Sequence, residues 1–204
     1  MDPWQERGAT IDGGIVYERA RGRFVITVGD LQPNQAATPV PATPAWKVGD
    51  VLAHVVGLAT DLNAQRFPDG VDVDGAMWTA RQVSERSAAS IADIVAEWDR
   101  EAPVFEEGLR LFGYEEGSHF VADLHAHHQD VRGALGLSRD EDPITIAVSL
   151  HHYLGFEVLR TFSARRSERQ VRQMRWEGDL GSLLTMLRSQ FSGGYSLPET
   201  DLAE

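Results

Sequence analysis

Apolar residues recur every three or four positions through most of the chain, and clusters of proline and glycine cut that rhythm into segments. Ile15, Val16, Phe24, Val25, Val28 and Leu31 fall at this spacing, with Arg19 among them, which predicts a first helix from about 12 to 30. The run Phe24-Val25-Ile26-Thr27 resembles a strand by itself, but the longer helical pattern overrides it. Four prolines between Pro33 and Pro44 forbid a regular helix there. Trp46 follows and is expected to open a second helix. Val48, Leu52, Val55, Ala59 and Leu62 share one side of it, and Pro68 marks its end. His54 lies inside that apolar pattern.

The stretch after Pro68 has room for a short helix before the next long one. A connection of about twenty residues lets the second and third main helices run as parallel neighbours, as in bundles with one crossover. Ser87 or Ser90 starts the third helix and Gly113 closes it. Pro103 should kink this helix without ending it, because the apolar spacing continues through Val104, Phe105 and Leu109. A fourth helix is predicted from about 118 to 135, stopped by Gly136. A fifth begins with Pro143 in its first turn. The pattern then weakens, leaving one further helix near 181–191 and a polar end. The expected class is all-α: a helical bundle with its fifth helix over 1–167, and a short extension over 168–204.

Composition narrows the function classes. Hydrophobic residues make up 42% of the 204, enough for a packed core. Asp and Glu number 31 against 19 Lys and Arg, a net charge of -12 that disfavours nucleic acid and anionic membrane surfaces as partners. No cysteine is present, so any thiol chemistry uses a thiol from elsewhere. No apolar run is long enough for a membrane span. The opening stretch lacks an apolar signal core, so a cytoplasmic protein is expected.

The candidate chemistry sits in the fourth helix. Asp123, His125, His127, His128 and Asp130 fall within eight residues. At about 100° per residue, Asp123 and His127 stack on one face with Asp130 in the same sector, while His125 and His128 point elsewhere. A carboxylate and an imidazole one turn apart can ligate one divalent cation, and His54 is the candidate third ligand from another helix. Three protein ligands with an open position is the pattern of a catalytic metal site. The alternative is an ordinary pair of Asp123 with His127, and a His54 satisfied by hydrogen bonds. Glu116-Gly-Ser-His119 matches Glu-x-x-His, but di-iron bundles need that motif on two helices with further glutamates. His151 and His152 are adjacent, cannot face the same way, and read as surface and interface residues.

Two stretches resemble a known family. "VPATPAWKVGDVLAHVVG" is a proline-rich lead, a tryptophan and a helix with one histidine; "DLHAHHQDVRGALG" is an acidic residue, a histidine four later, an aspartate three beyond, then Arg and Leu-Gly. Together they resemble the DinB-like, mycothiol-dependent maleylpyruvate isomerase family, from about 17 to 166. The resemblance implies a DinB-like four-helix bundle with one long crossover, plus additional C-terminal helices, and a divalent metal at one end. The metal is commonly zinc, with nickel and iron as alternatives. It also implies His54, Asp123 and His127 as ligands, Asp130 in support and mycothiol as thiol cosubstrate. Arg132 matches the family's arginine.

The chain departs from the isomerase in two ways. Asp123 stands where the isomerase has glutamate, one methylene longer. The isomerase also has a C-terminal mixed α/β domain, of which 168–204 reads as a remnant. The expected function is therefore a metal-dependent, thiol-using isomerase or transferase acting on a small molecule. Two alternatives remain: a non-catalytic binding or dimerising module, or a biosynthetic enzyme that uses no thiol. No catalytic residue beyond the ligands is identified, and homodimerisation is left open.

Overall fold

The computed structural model describes residues 11–68, 76–162 and 168–173. In order, the helices are α1 (Gly13–Val28), α2 (Pro33–Ala36), α3 (Val48–Asn63), α4 (Ala76–Glu85), α5 (Ile91–Phe112), α6 (Tyr114–Ala134), α7 (Pro143–Phe162) and α8 (Glu168–Gln173). No strand occurs among the described residues, only an isolated antiparallel bridge between Pro39 and Lys47. The chain divides into two compact units, Met1–His152 and Tyr153–Glu204. The first holds the bundle. The second carries the end of α7 and α8. The helix expected near 181–191 lies outside the described residues.

The bundle is made of α1, α3, α5 and α6, with α4 inside the crossover between α3 and α5. Asp12 caps α1, its carboxylate accepting from the Ile15 N–H. The buried stripe of α1 is Val16, Tyr17, Ala20, Phe24 and Val28, whereas Ile15 from the predicted apolar set faces solvent. Helix α3 is buried on nearly every side from Val48 to Ala59, as expected of a central element. On α5, Ile94, Trp98, Ala102, Phe105 and Leu109 face inward at helical spacing, and the helix runs through Pro103. Aromatic edges lock these faces together: Tyr17 on Phe105 at 5.0 Å and Phe24 on Trp98 at 5.8 Å between ring centroids.

Three boundaries differ from the sequence expectation. The proline-rich stretch contains one helical turn, α2, with Pro33 at its first position where no N–H is needed. Trp46 does not open α3. Its N–H donates to the Thr43 carbonyl and its own carbonyl accepts from Val40, so it belongs to the turn before the helix. Helix α6 starts at Tyr114, four residues earlier than predicted. Gly113 ends α5 and caps α6 at φ 93°, a conformation that costs glycine little, so the chain turns within one residue.

The start of α7 is set by charge. Asp142 accepts from the N–H and hydroxyl of Thr145, at 3.2 and 2.8 Å, and from Arg19 Nε of α1 at 2.7 Å. Asp140 pairs with Arg23 one turn further along α1. Burial opposes ionisation of Asp142, but these donors outweigh it and hold its carboxyl down at about 2. Asp142→Asn keeps a capping oxygen but removes the charge that Arg19 pairs with, and should therefore cost about 0.5–1 kcal/mol at neutral pH. The folded-state value lies below that of the unfolded chain, so this contribution is fully present above about pH 4 and fades toward pH 2. Denaturant unfolding of both proteins across that range should show the gap closing as pH falls.

Packing of α4 on α3 depends on Gly57. A Cβ there would lie 2.6 Å from Gln82 Cβ and 2.9 Å from an Arg86 guanidinium nitrogen. Gly22, in α1, has nothing within 4 Å of the same position. Gly22→Ala should stabilise the fold by about 0.5–1 kcal/mol through helix propensity. Gly57→Ala should instead destabilise it by about 1–3 kcal/mol, because overpacking outweighs that gain. Urea unfolding should give opposite signs for the two variants.

Candidate metal centre

His54 sits in the middle of α3, 8% exposed, with Val51, Leu52, Val55 and Val56 buried around it. A histidine in such surroundings needs a partner for its ring N–H. Gln82 of α4 supplies it: His54 Nδ1 is 2.8 Å from Gln82 Oε1. The Gln82 amide nitrogen donates to Asp61 Oδ2 at 3.0 Å. Asp61, fully buried, is paired with Arg66 at 2.6 Å and Arg81 at 3.1 Å.

This relay assigns protons. The Asp61 carboxylate accepts from Arg66, Arg81 and the amide nitrogen of Gln82, so the amide NH2 of Gln82 faces it and the amide oxygen faces His54. His54 Nδ1 therefore carries the hydrogen, and Nε2 keeps its lone pair. Burial, and then the neighbouring His127, lower the His54 pKa below the ordinary histidine value, which favours the neutral, ligating form.

Helix α6 brings Asp123 and His127 to the same place. Ligand atoms of His54, Asp123 and His127 all lie within 4.8 Å of one another. His127 Nε2 is 3.6 Å from Asp123 Oδ1, and its Nδ1 is 3.9 Å from Asp130 Oδ2. Both separations exceed hydrogen-bond length, and Nδ1 is buried with no hydrogen-bond partner among the described residues. The His54 and His127 rings meet edge to face, with centroids 5.1 Å apart. Trp46 lies against both, at 5.2 and 6.2 Å. Burial raises the Asp130 pKa, and His127 opposes that shift.

Two imidazole nitrogens and a carboxylate oxygen form the donor set of a three-ligand zinc site, and ligands at zinc distances stand about 3.4 Å apart. The cluster, with its ligand atoms within 4.8 Å of one another, is wider than that. Its donors are chemically suited to a divalent cation, with His54 held in the correct tautomer by a relay of the type that orients metal-bound histidines. Asp123, one methylene shorter than glutamate, still reaches the cluster.

His125 and His128 of α6 are engaged in packing contacts. His128 stacks on Phe24 at 4.8 Å and bonds Thr27 Oγ1 through Nε2 at 2.8 Å; burial lowers its pKa to about 4. His125 contacts Ser149 of α7 at 2.9 Å and Gln129 at 2.8 Å. Arg132 donates to the Ser138 carbonyl at 2.6 Å and to Thr27 at 3.0 Å, tying the end of α6 to the next loop and to α1. His151 meets Tyr114, and His152 meets Ser118 and His119 at the contact of α7 with α6.

Sequence reasoning missed Gln82 and Asp61. Neither stands at a telling spacing from His54; the crossover helix brings Gln82 there. Trp46 was part of a quoted motif but had no assigned place in the site.

No helix among the described residues is long and apolar enough to cross a membrane. No curated protein and no solved structure matches the chain. The profile of the mycothiol maleylpyruvate isomerase N-terminal domain matches residues 17–132, a span that includes most of α1, all of α2 to α5, nearly all of α6 and every residue of the cluster. The chain therefore belongs to the family of the mycothiol maleylpyruvate isomerase N-terminal domain.

Proposed function

We propose that this chain binds a divalent metal, zinc in the first place, through His54, Asp123 and His127, and serves a thiol-dependent isomerase or transferase reaction on a small molecule. The observation that carries this reading is the relay behind His54. A fully buried Gln82 and a buried, doubly paired Asp61 hold one nitrogen of His54, leaving the other unprotonated beside Asp123 and His127. A structural histidine needs one partner, not a relay that fixes which lone pair is left over.

A divalent cation held there supplies Lewis acidity, which lowers the pKa of a thiol or water brought to it. The chain's own residues do the rest. His54 and His127 would offer the cation ring nitrogens, and Asp123 a carboxylate oxygen. Asp130 stands behind His127, its carboxylate 3.9 Å from Nδ1. Trp46 walls one side of the pair and excludes water there. The family points to mycothiol as the thiol, and a chain without cysteine has no thiolate of its own to compete for the metal.

Purified protein should carry close to one equivalent of zinc by elemental analysis, and His54→Ala and His127→Ala should each lose it. Mycothiol with an electrophilic acceptor should be consumed by the wild type and not by these variants. Nickel or iron in place of zinc would revise the metal. Metal-free protein that takes up none of the three would overturn the reading, and stoichiometric metal without thiol consumption would leave a binding module.

Gln82→Met keeps the volume of the buried side chain and removes the hydrogen bond to His54. Zinc affinity measured against a chromophoric chelator should fall by about 10- to 100-fold, the usual cost of losing a partner behind a metal-bound histidine. Unchanged affinity would remove the relay from the argument.

A further inference from the structure

The contact between α6 and the first half of α7 holds a second cluster of imidazoles, which shares no residue with the first. His119 Nδ1 and His152 Nε2 are 3.2 Å apart, and their rings cross at 67° with centroids 5.1 Å apart. The orientation of His152 is set from behind. Its Nδ1 lies 3.2 Å from Ser118 Oγ, a buried hydroxyl that gives its proton to the Glu115 carbonyl at 2.8 Å. With that proton committed, Ser118 Oγ accepts from His152. His152 Nδ1 therefore carries the hydrogen, and its Nε2 presents a lone pair to His119.

We propose that His119 and His152 form a second site for a transition-metal cation, Ni2+, Cu2+ or Zn2+, that bridges α6 and α7, with solvent completing the coordination. Neighbouring ligands at metal–nitrogen distances of about 2.0–2.1 Å stand about 2.9 Å apart at a right angle and about 3.4 Å apart in a tetrahedron, a range that includes the 3.2 Å between these two nitrogens. An imidazole-only pair selects such metals over Mg2+ and Ca2+. Burial, then His119 and His151, hold the His152 pKa below the ordinary value, which keeps the ring neutral. His119 is exposed, so a cation can enter from solvent. Glu116-x-x-His119 thus finds its histidine partner on α7, not in a second copy of the motif. The competing arrangement is a plain hydrogen bond from His119 to His152.

The test is a calorimetric titration of tag-free His54→Ala/His127→Ala protein with NiCl2, which leaves this pair intact and silences the other cluster. One saturable equivalent is expected. It should be lost when His119→Gln or His152→Gln is added, and weakened about tenfold by Ser118→Ala, which frees the tautomer. No saturable uptake, or uptake that survives His119→Gln, overturns the proposal. If the double variant does not fold, zinc-saturated wild type is titrated instead. A second equivalent absent from wild type then overturns it, and one present in wild type but missing in His119→Gln supports it.

Discussion

A buried imidazole has two nitrogens in opposite chemical states, and the surroundings must choose between them. In this chain the choice at His54 is made by Gln82, and everything near the cluster follows from that contact. Gln82 comes from the crossover helix. It can approach only because α3 presents Gly57 where a larger residue would hold α4 away. Behind Gln82, Asp61 is buried at a cost that Arg66 and Arg81 offset. Arg86, also buried, donates to the Gln82 carbonyl and pairs with Glu97 of α5, which anchors the helix that delivers the glutamine. Five charged side chains and a glycine thus stand behind one ring nitrogen.

The crossover that long connections in such bundles require is accordingly part of the candidate site. The bundle's own helices contribute the three potential ligands, two from α6 and one from α3, and α4 decides how one of them is presented. The opposite side of α6 is occupied differently. His128, Gln129 and Arg132 fasten α6 to α1 and to the loop before α7, with Asp140 at the centre of their contacts. A single helix therefore divides these residues by face, Asp123 and His127 toward α3 and His128 and Arg132 toward α1.

Much of this was readable in the amino-acid order. Helical spacing located the four bundle helices, and the i,i+4 rule separated His127 from His125 and His128, because both depend on local geometry. His54 stood out as a polar residue in an apolar helix. Gln82 and Asp61 were not readable, since their meeting depends on how α4 lies across α3, a matter of tertiary packing. Trp46 was read into α3 because it follows the last proline, whereas a bridge between Pro39 and Lys47 keeps it in the turn. The first turn of α6 was missed because Tyr-Glu-Glu-Gly has no apolar period, and because a glycine between two helices gives no sign that one residue suffices to turn the chain.

That one-residue turn couples the two helices in phase. Because Gly113 both ends α5 and begins α6, no slack exists to absorb a change in length between them. One residue added or removed near it would rotate α6 by about 100° against α5. Asp123 and His127 would then sweep away from α3, and His128 would leave Phe24. The spacing from Trp98 through Gly113 to His127 thus acts as a ruler that the fold cannot re-mark.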